Sequence, residues 1–332
     1  MNYEEFLEYI KNNLVEYFIK QEGKSVEEEK KEGEAVESTE CYEAELHKVV
    51  KNNGIVLDGV TLRKKGECVS PNIYLNTYYE NYQMGKPLSV IFEEIISYYK
   101  KVKEENCLEI EDVGDFSLVR NKIVLRLVNY EKNKEQLKTC PYKRYLDLAI
   151  TFRYIASKDC MGIASSLISN QEYEQWKIDL EDLYQIALFN TMREFPWQME
   201  SLAKVIADCM RTKVSGILPK ELLNDLEEMG NMENGVNMYV LSNDAGLNGA
   251  TCILYDNVIR NFAKVQEANL FLLPSSIHEV MLVPEDVDTD PQFLSELVVE
   301  ANQSAVGYID LLSNHIYYYD REKDQVFIYG QN

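Results

Sequence analysis

Leu270-Phe-Leu-Leu-Pro-Ser-Ser-Ile-His-Glu-Val-Met-Leu-Val-Pro284 decides how the chain is read, because two short apolar runs flank a proline and a pair of serines. Four to eight apolar residues bounded by turn signals match a buried strand and fall short of a helix. The spacing predicts strands over residues 270–273 and 277–283. In the second, alternation would send His278, Val280 and Leu282 to one face and Ile277, Glu279, Met281 and Val283 to the other. Both faces are otherwise apolar. A histidine or a glutamate would then sit among hydrophobic neighbours, where a polar group without a partner costs roughly 2–7 kcal/mol.

Downstream, the pattern predicts a helix over 291–301 and a hairpin of 315–319 with 325–329 around Arg321-Glu-Lys323. Upstream, a strand at 238–241 leads into the loop 242–249 and a helix over 252–265. Residues 170–230 form a largely helical middle, clearest at 202–210 and interrupted at Phe195-Pro-Trp197 and Ser215-Gly-Ile-Leu-Pro219. Before it come the apolar run 123–128, a short helix from Asn133 and strands near 146–155 and 161–168.

At the N-terminus, Tyr3, Phe6, Leu7, Ile10, Leu14 and Phe18 mark one face of a helix over 2–19. The Glu-, Lys- and Gly-rich residues 21–40 read as a solvated linker. A hairpin follows around Asn52-Asn53-Gly54, then a helix over 72–82 carrying Tyr74, Tyr78 and Tyr82 on one face. Pro87 opens another helix that would bury Ile91, Ile95, Tyr98 and Val102. Hairpins together with helices point to an α+β fold of two globular units. The expected organisation is a helix at 1–19, an acidic flexible insert at 20–41, an α+β unit at 42–169, a helical middle at 170–230 and an acidic α+β unit at 231–332.

Of the 332 residues, 45% are hydrophobic and 27% charged, the balance of an ordinary folded protein. No apolar run reaches the roughly 18 residues of a membrane span, and Met-Asn-Tyr-Glu-Glu is not the start of a secretory signal. Seven cysteines are scattered without metal-binding or redox spacing, as in a reducing compartment. A cytoplasmic protein without membrane contact is expected. The net charge of −22 speaks against nucleic acid, which is bound by neutralising phosphates, and residues 219–332 alone carry 19 acids and 5 bases.

Two turn-rich segments draw attention as candidate sites. Ser242-Asn-Asp-Ala-Gly-Leu-Asn-Gly-Ala250 joins a strand to a helix, where phosphates are often cradled, but it lacks both glycine-rich fingerprints. Asn248 reads there as a helix cap and Gly249 as a tight turn. In the other segment, Ser275 or Ser276 with His278 suggests acyl transfer, yet no Gly-x-Ser-x-Gly exists. His278-Glu279 lacks the second histidine of His-Glu-x-x-His, and a metal held by His278, His315 and Glu279 competes with a buried histidine bonded to backbone. No cofactor or metal is expected and no catalytic residue is assigned.

The leading expectation is a non-enzymatic binding or protein-interaction module whose two loops line one cleft, with Ser275, Ser276, His278, Glu279, Asn243, Asn248 and Gly249 as candidates. Its partner would be a protein or small molecule that the sequence does not identify. The alternative is a hydrolase or metal-dependent enzyme using His278 and Glu279. A third reading makes these residues structural and the exposed members of the 23 tyrosines an interface. Oligomeric state is not legible.

Several motifs belong together: Lys51-Asn-Asn-Gly54, Pro71-Asn-Ile-Tyr-Leu-Asn76 with Tyr78-Tyr79 and Tyr82-x-x-Gly85, Arg126-Leu-Val-Asn129 with Asn133, Leu146-Asp-Leu-Ala149, Gly249-Ala250 and Pro274-Ser-Ser-Ile-His-Glu279. In these the chain resembles a bacterial family catalogued only as domain of unknown function 5688, from about Leu46 onward, with the acidic insert outside the likeness. The resemblance implies a shared fold and brings no activity or site residue with it.

Overall fold

A computed structural model describes residues 1–28, 42–65, 70–105, 114–159, 162–213 and 237–331, and the chain divides into units spanning 1–109 and 110–332. In the first unit the helix Tyr3–Glu28 buries Phe6, Ile10, Leu14 and Phe18 at the one-turn spacing of a single face. It runs on to Glu28 instead of ending at residue 19, so part of the expected linker is helical and residues 29–41 lie outside the described residues.

Strand β1 (Tyr42–Val50) pairs antiparallel with β2 (Val56–Lys64) around the Asn52–Gly54 turn, where Asn53 takes a left-handed φ of 59°. Asn and Gly are the residues that such a turn favours. Strand β3 (Asn72–Tyr74) pairs with β2, so Tyr74 lies on a strand and the helix begins at Asn76. In the helix Leu88–Glu105, Ile91, Phe92, Ile95, Ile96 and Tyr99 are buried. The stripe passes through Tyr99, one turn from Ile95, and leaves Tyr98 44% exposed, contrary to expectation.

In the second unit β4 (Ile123–Asn129), β5 (Tyr142–Tyr145), β6 (Leu148–Asp159) and β7 (Gly162–Leu167) form one antiparallel sheet, with β4, β5 and β7 all pairing with the long β6. A second antiparallel sheet contains β8 (Trp197–Ser201), β9 (Tyr239–Asn243), β10 (Leu270–Leu273), β11 (Val280–Pro284), β12 (Tyr317–Asp320) and β13 (Gln325–Ile328), in the order β13-β12-β10-β11-β9-β8. The fold is α+β. Strand β8 occupies an edge where the sequence suggested only an interruption between helices.

Central position explains the unbroken apolar run of β10. Leu270 and Leu272 join the main core with Leu125 and Leu127 of β4 and Ile150 and Phe152 of β6. On the other face, Phe271 and Leu273 pack with Val283, Ile316 and, from the helix Pro291–Ser304, Leu294 and Val298. A strand buried on both faces has no polar alternation to show. Because β4 and β6 share a core with β10 to β12, residues 110–169 fold with the C-terminal part, and the expected boundary at 169 lies instead at Glu109.

The helix Leu180–Glu194 is stitched to β4: Asn190 donates to the carbonyls of Arg120 and Ile123, and Thr191 Oγ1 accepts from Leu125 N at 2.8 Å. Buried Tyr255 closes the helix end by donating to Phe195 O at 2.9 Å. Tyr255 precedes the helix Val258–Gln266, and residues Gly249–Leu254 form 3-10 turns, so the expected helix over 252–265 is broken in two. Desolvation pushes the Tyr255 hydroxyl well above the usual tyrosine range, and burial beside Asp147 does the same to Tyr317.

These tyrosines make stability fall in alkali. In the unfolded chain they release protons near pH 10, while the native state still holds them. Their contribution is whole below about pH 10 and declines above it, by about 1.4 kcal/mol per pH unit for each tyrosine. Urea midpoints at about pH 9 and pH 11 should drop accordingly, and the Tyr255→Phe variant should drop less.

Candidate functional site

Pro274 supplies no N–H, and β10 ends before it. Residues 274–277 pair instead with the segment preceding His315: Ser313 N donates to Pro274 O, Leu312 N to Ser275 O and Ile277 N to Asp310 O, all within 2.8–2.9 Å. Ser276 Oγ then accepts from His278 N at 3.0 Å, which tightens the turn. β11 therefore starts at Val280, and His278 and Glu279 lie on the connector, not on a strand as the alternation suggested. This pairing carries Asp310 to His278, with Asp310 Oδ1 3.3 Å from His278 Nε2.

The loop after β9 meets the same connector. Ser242 Oγ donates to His278 O at 2.8 Å, Asn248 N to His278 Nδ1 at 3.3 Å and Ala250 N to Ile277 O at 3.2 Å. Asn243 braces the loop from within, its Nδ2 donating to Leu247 O at 2.9 Å. Asn248 adopts a left-handed φ of 54° and makes no side-chain cap, so it turns the chain instead of capping a helix. Gly249 is there for close approach: a β-carbon would collide with Ser242 Oγ, His278 O and Asn243 N.

The two loops thus touch, and Asn243, Asn248, Gly249, Ser276 and His278 are brought together. Ser275 contributes only its carbonyl to the pairing. Glu279 stands apart, with no hydrogen bond or ion pair among the described residues. The carboxylate at His278 is Asp310, which the sequence reading missed. Neither serine hydroxyl reaches a ring nitrogen of His278.

Both nitrogens of that ring are engaged. A backbone N–H can only donate, so Nδ1 accepts from Asn248, and the proton of the neutral ring stands on Nε2 facing Asp310. His278 and His315 do not share a carboxylate: His315 Nδ1 lies 3.0 Å from Asp147 Oδ2. Among the described residues no three His, Cys, Asp or Glu side chains gather as metal ligands. Burial pushes the Cys252 thiol up to about 12, and its Sγ donates to Ser242 O, so it packs as a small apolar side chain. Cys41, Cys68, Cys107 and Cys160 lie outside the described residues.

The unexpected member is Arg126. It projects from β4 between Val124 and Val128, away from the main core, opposite Thr151 on β6. Its guanidinium makes no hydrogen bond among the described residues, and Nε is fully buried. Burial lowers its pKa from the usual guanidinium range, and the negative charge of Asp310 partly offsets this. Together with Arg153, Thr191, Asn243 and Asn248 it lines a cavity of about 20 Å³. One arginine inside Ile123-Val-Leu-Arg-Leu-Val128 is a signal of the same kind as His278, a charge in an apolar strand.

Tyr318 lies on the face of β12 opposite Tyr317 and Tyr319 and is not left free. Its ring packs on Phe271 and Phe327 and its hydroxyl donates to Glu285 Oε2 at 2.7 Å.

Among the described residues no helix is long and apolar enough to cross a membrane. No curated protein and no solved structure matches the chain. A family described as "Family of unknown function (DUF5688)" matches residues 3–321. The match takes in the N-terminal helix and residues 20–41, which lie outside the motifs that carry the resemblance.

Proposed function

The chain belongs to the DUF5688 family, whose function is unknown, and from that premise we propose that it is a non-enzymatic binding protein whose site is the recess between β4 and the loop 242–250, which the segment 274–279 braces. The observation that carries this reading is the engagement of His278 on both nitrogens, one of them by Asn248, which lines a cavity with an arginine whose Nε has no acceptor. A general base needs an open lone pair and a proton to abstract within reach. His278 has neither; its ring ties the two loops and Asp310 together. We place the protein in the cytoplasm, on the unpaired spacing of its cysteines.

His278→Ala tests the reading. It deprives Asn248 N of its acceptor and Asp310 of its neighbour, an expected cost of about 1–2 kcal/mol. Thermal melting should fall by roughly 2–8 °C. A catalytic histidine is commonly held at a cost to stability, so unchanged or raised melting would count against a binding platform and for a reacting group.

A further inference from the structure

The three-stranded sheet of the first unit ends on an open strand. β1 stands at the edge of the order β1-β2-β3, and its nine residues pair with β2 in one unbroken register. Lys51 N donates to Ile55 O at 2.7 Å, so in the alternating ladder Glu43, Glu45, His47 and Val49 turn their backbone groups toward β2. The even-numbered residues turn theirs outward. Among the described residues the N–H and C=O groups of Ala44, Leu46 and Lys48 meet no partner on that side. A long, regular edge of this kind is a template for a further strand. Side chains along it are incompletely covered as well: Tyr42, Ala44 and Leu46 pack only at the margin of the core, and Val50 is 51% exposed.

Of the strands that could pair there, a second copy of β1 fits. Antiparallel pairing about a two-fold axis at Leu46 sets Leu46 against its own copy, Ala44 against Lys48, Tyr42 against Val50 and Glu45 against His47. All nine residues are then matched, and a carboxylate faces an imidazole on either side of the axis. Other registers are worse. An axis at Glu45 opposes two carboxylates, and an axis at His47 leaves Tyr42 and Glu43 beyond the end of the facing strand. On the core face, pairing at Leu46 covers the margin where Ala44 and Leu46 are half-buried. Charge does not oppose it locally, because residues 42–105 carry nine acids and nine bases in a chain of net charge −22. We propose that two copies of this chain join edge to edge through β1, in antiparallel register centred on Leu46, and form one six-stranded sheet. No residue of the recess in the second unit takes part.

Sedimentation equilibrium of the full chain between about 1 and 100 µM tests this. A monomer of 38.5 kDa should give way to a dimer of twice that mass, with a dissociation constant of about 10 µM. Lys48→Pro removes an outward N–H and no bond between β1 and β2, the one setting in which a strand accepts proline, and should weaken the dimer about 10-fold or more. His47→Glu opposes carboxylates on both sides of the axis and should weaken it about 10-fold. Adding Glu45→His to that variant exchanges the pair and should bring the constant back to within about 3-fold of the wild type. Should Lys48→Pro fail to fold, this exchange carries the comparison. A wild type that stays monomeric at about 100 µM would overturn the proposal, as would a dimer that neither Lys48→Pro nor His47→Glu weakens. A dimer weakened by His47→Glu that the exchange does not restore would overturn the register centred on Leu46.

Discussion

Asp147→Ala should destabilise the protein by about 3–5 kcal/mol, the cost of stripping a shared acceptor from buried donors. Asp147 stands in the turn between β5 and β6, after Leu146 in a left-handed conformation of φ 54°. Its carboxylate accepts from Ser313 Oγ at 2.7 Å, from the Tyr317 hydroxyl and from His315 Nδ1. Ser313 and Tyr317 are both completely buried. Without Asp147 both hydroxyls would lose their charged acceptor. Tyr317→Phe removes one donor and keeps the ring, so its cost should be about 1 kcal/mol. The double variant should lose less than the sum of the two, since the second substitution removes a group already orphaned by the first. Urea unfolding of the three variants checks this, and an Asp147→Ala effect no larger than that of Tyr317→Phe would refute the carboxylate as the hub.

Gly249→Ala is expected to lower the melting temperature by roughly 6–12 °C, as overpacking against atoms unable to move. The added methyl would stand 2.9 Å from Asn243 N and closer still to His278 O and Ser242 Oγ. The serine hydroxyl could rotate away. The other two atoms are backbone, one on β9 and one on a connector fixed by its pairing to residues 310–313. Gly246 provides the contrast. It has a positive φ of 63° but open space around it, so Gly246→Ala should cost only the left-handed strain, about 1 kcal/mol. Scanning calorimetry of both separates the two effects. A larger drop for Gly246→Ala would mean that the two loops are not closely joined at Gly249.

Much of the architecture is written locally. The hairpin around Asn52-Asn53-Gly54, the apolar runs that become β4 and β10, and the periodic helix opening at Tyr3 follow from period and turn chemistry alone. Where the local reading fails, a distant partner intervenes. Residues 277–279 have the composition of a strand, but Asp310, Ala250, Ser242 and Ser276 take the backbone hydrogen bonds of Ile277 and His278 and turn the segment into a connector. Gly249 reads as a turn because its neighbours in sequence suggest one, whereas its neighbours in space demand a missing side chain.

The sequence by itself determined the fold class, the acidity and the presence of polar groups in apolar strands, since propensity, period and charge are properties of the local chain. Only the tertiary structure decided that His278 faces Asp310 and not Glu279, that His315 answers to Asp147, and that Arg126 lines a cavity with Asn248. Those partners come from separate strands and loops, and sheet register sets their meeting. A one-residue slip in register turns every side chain to the opposite face, so no local pattern could have specified it.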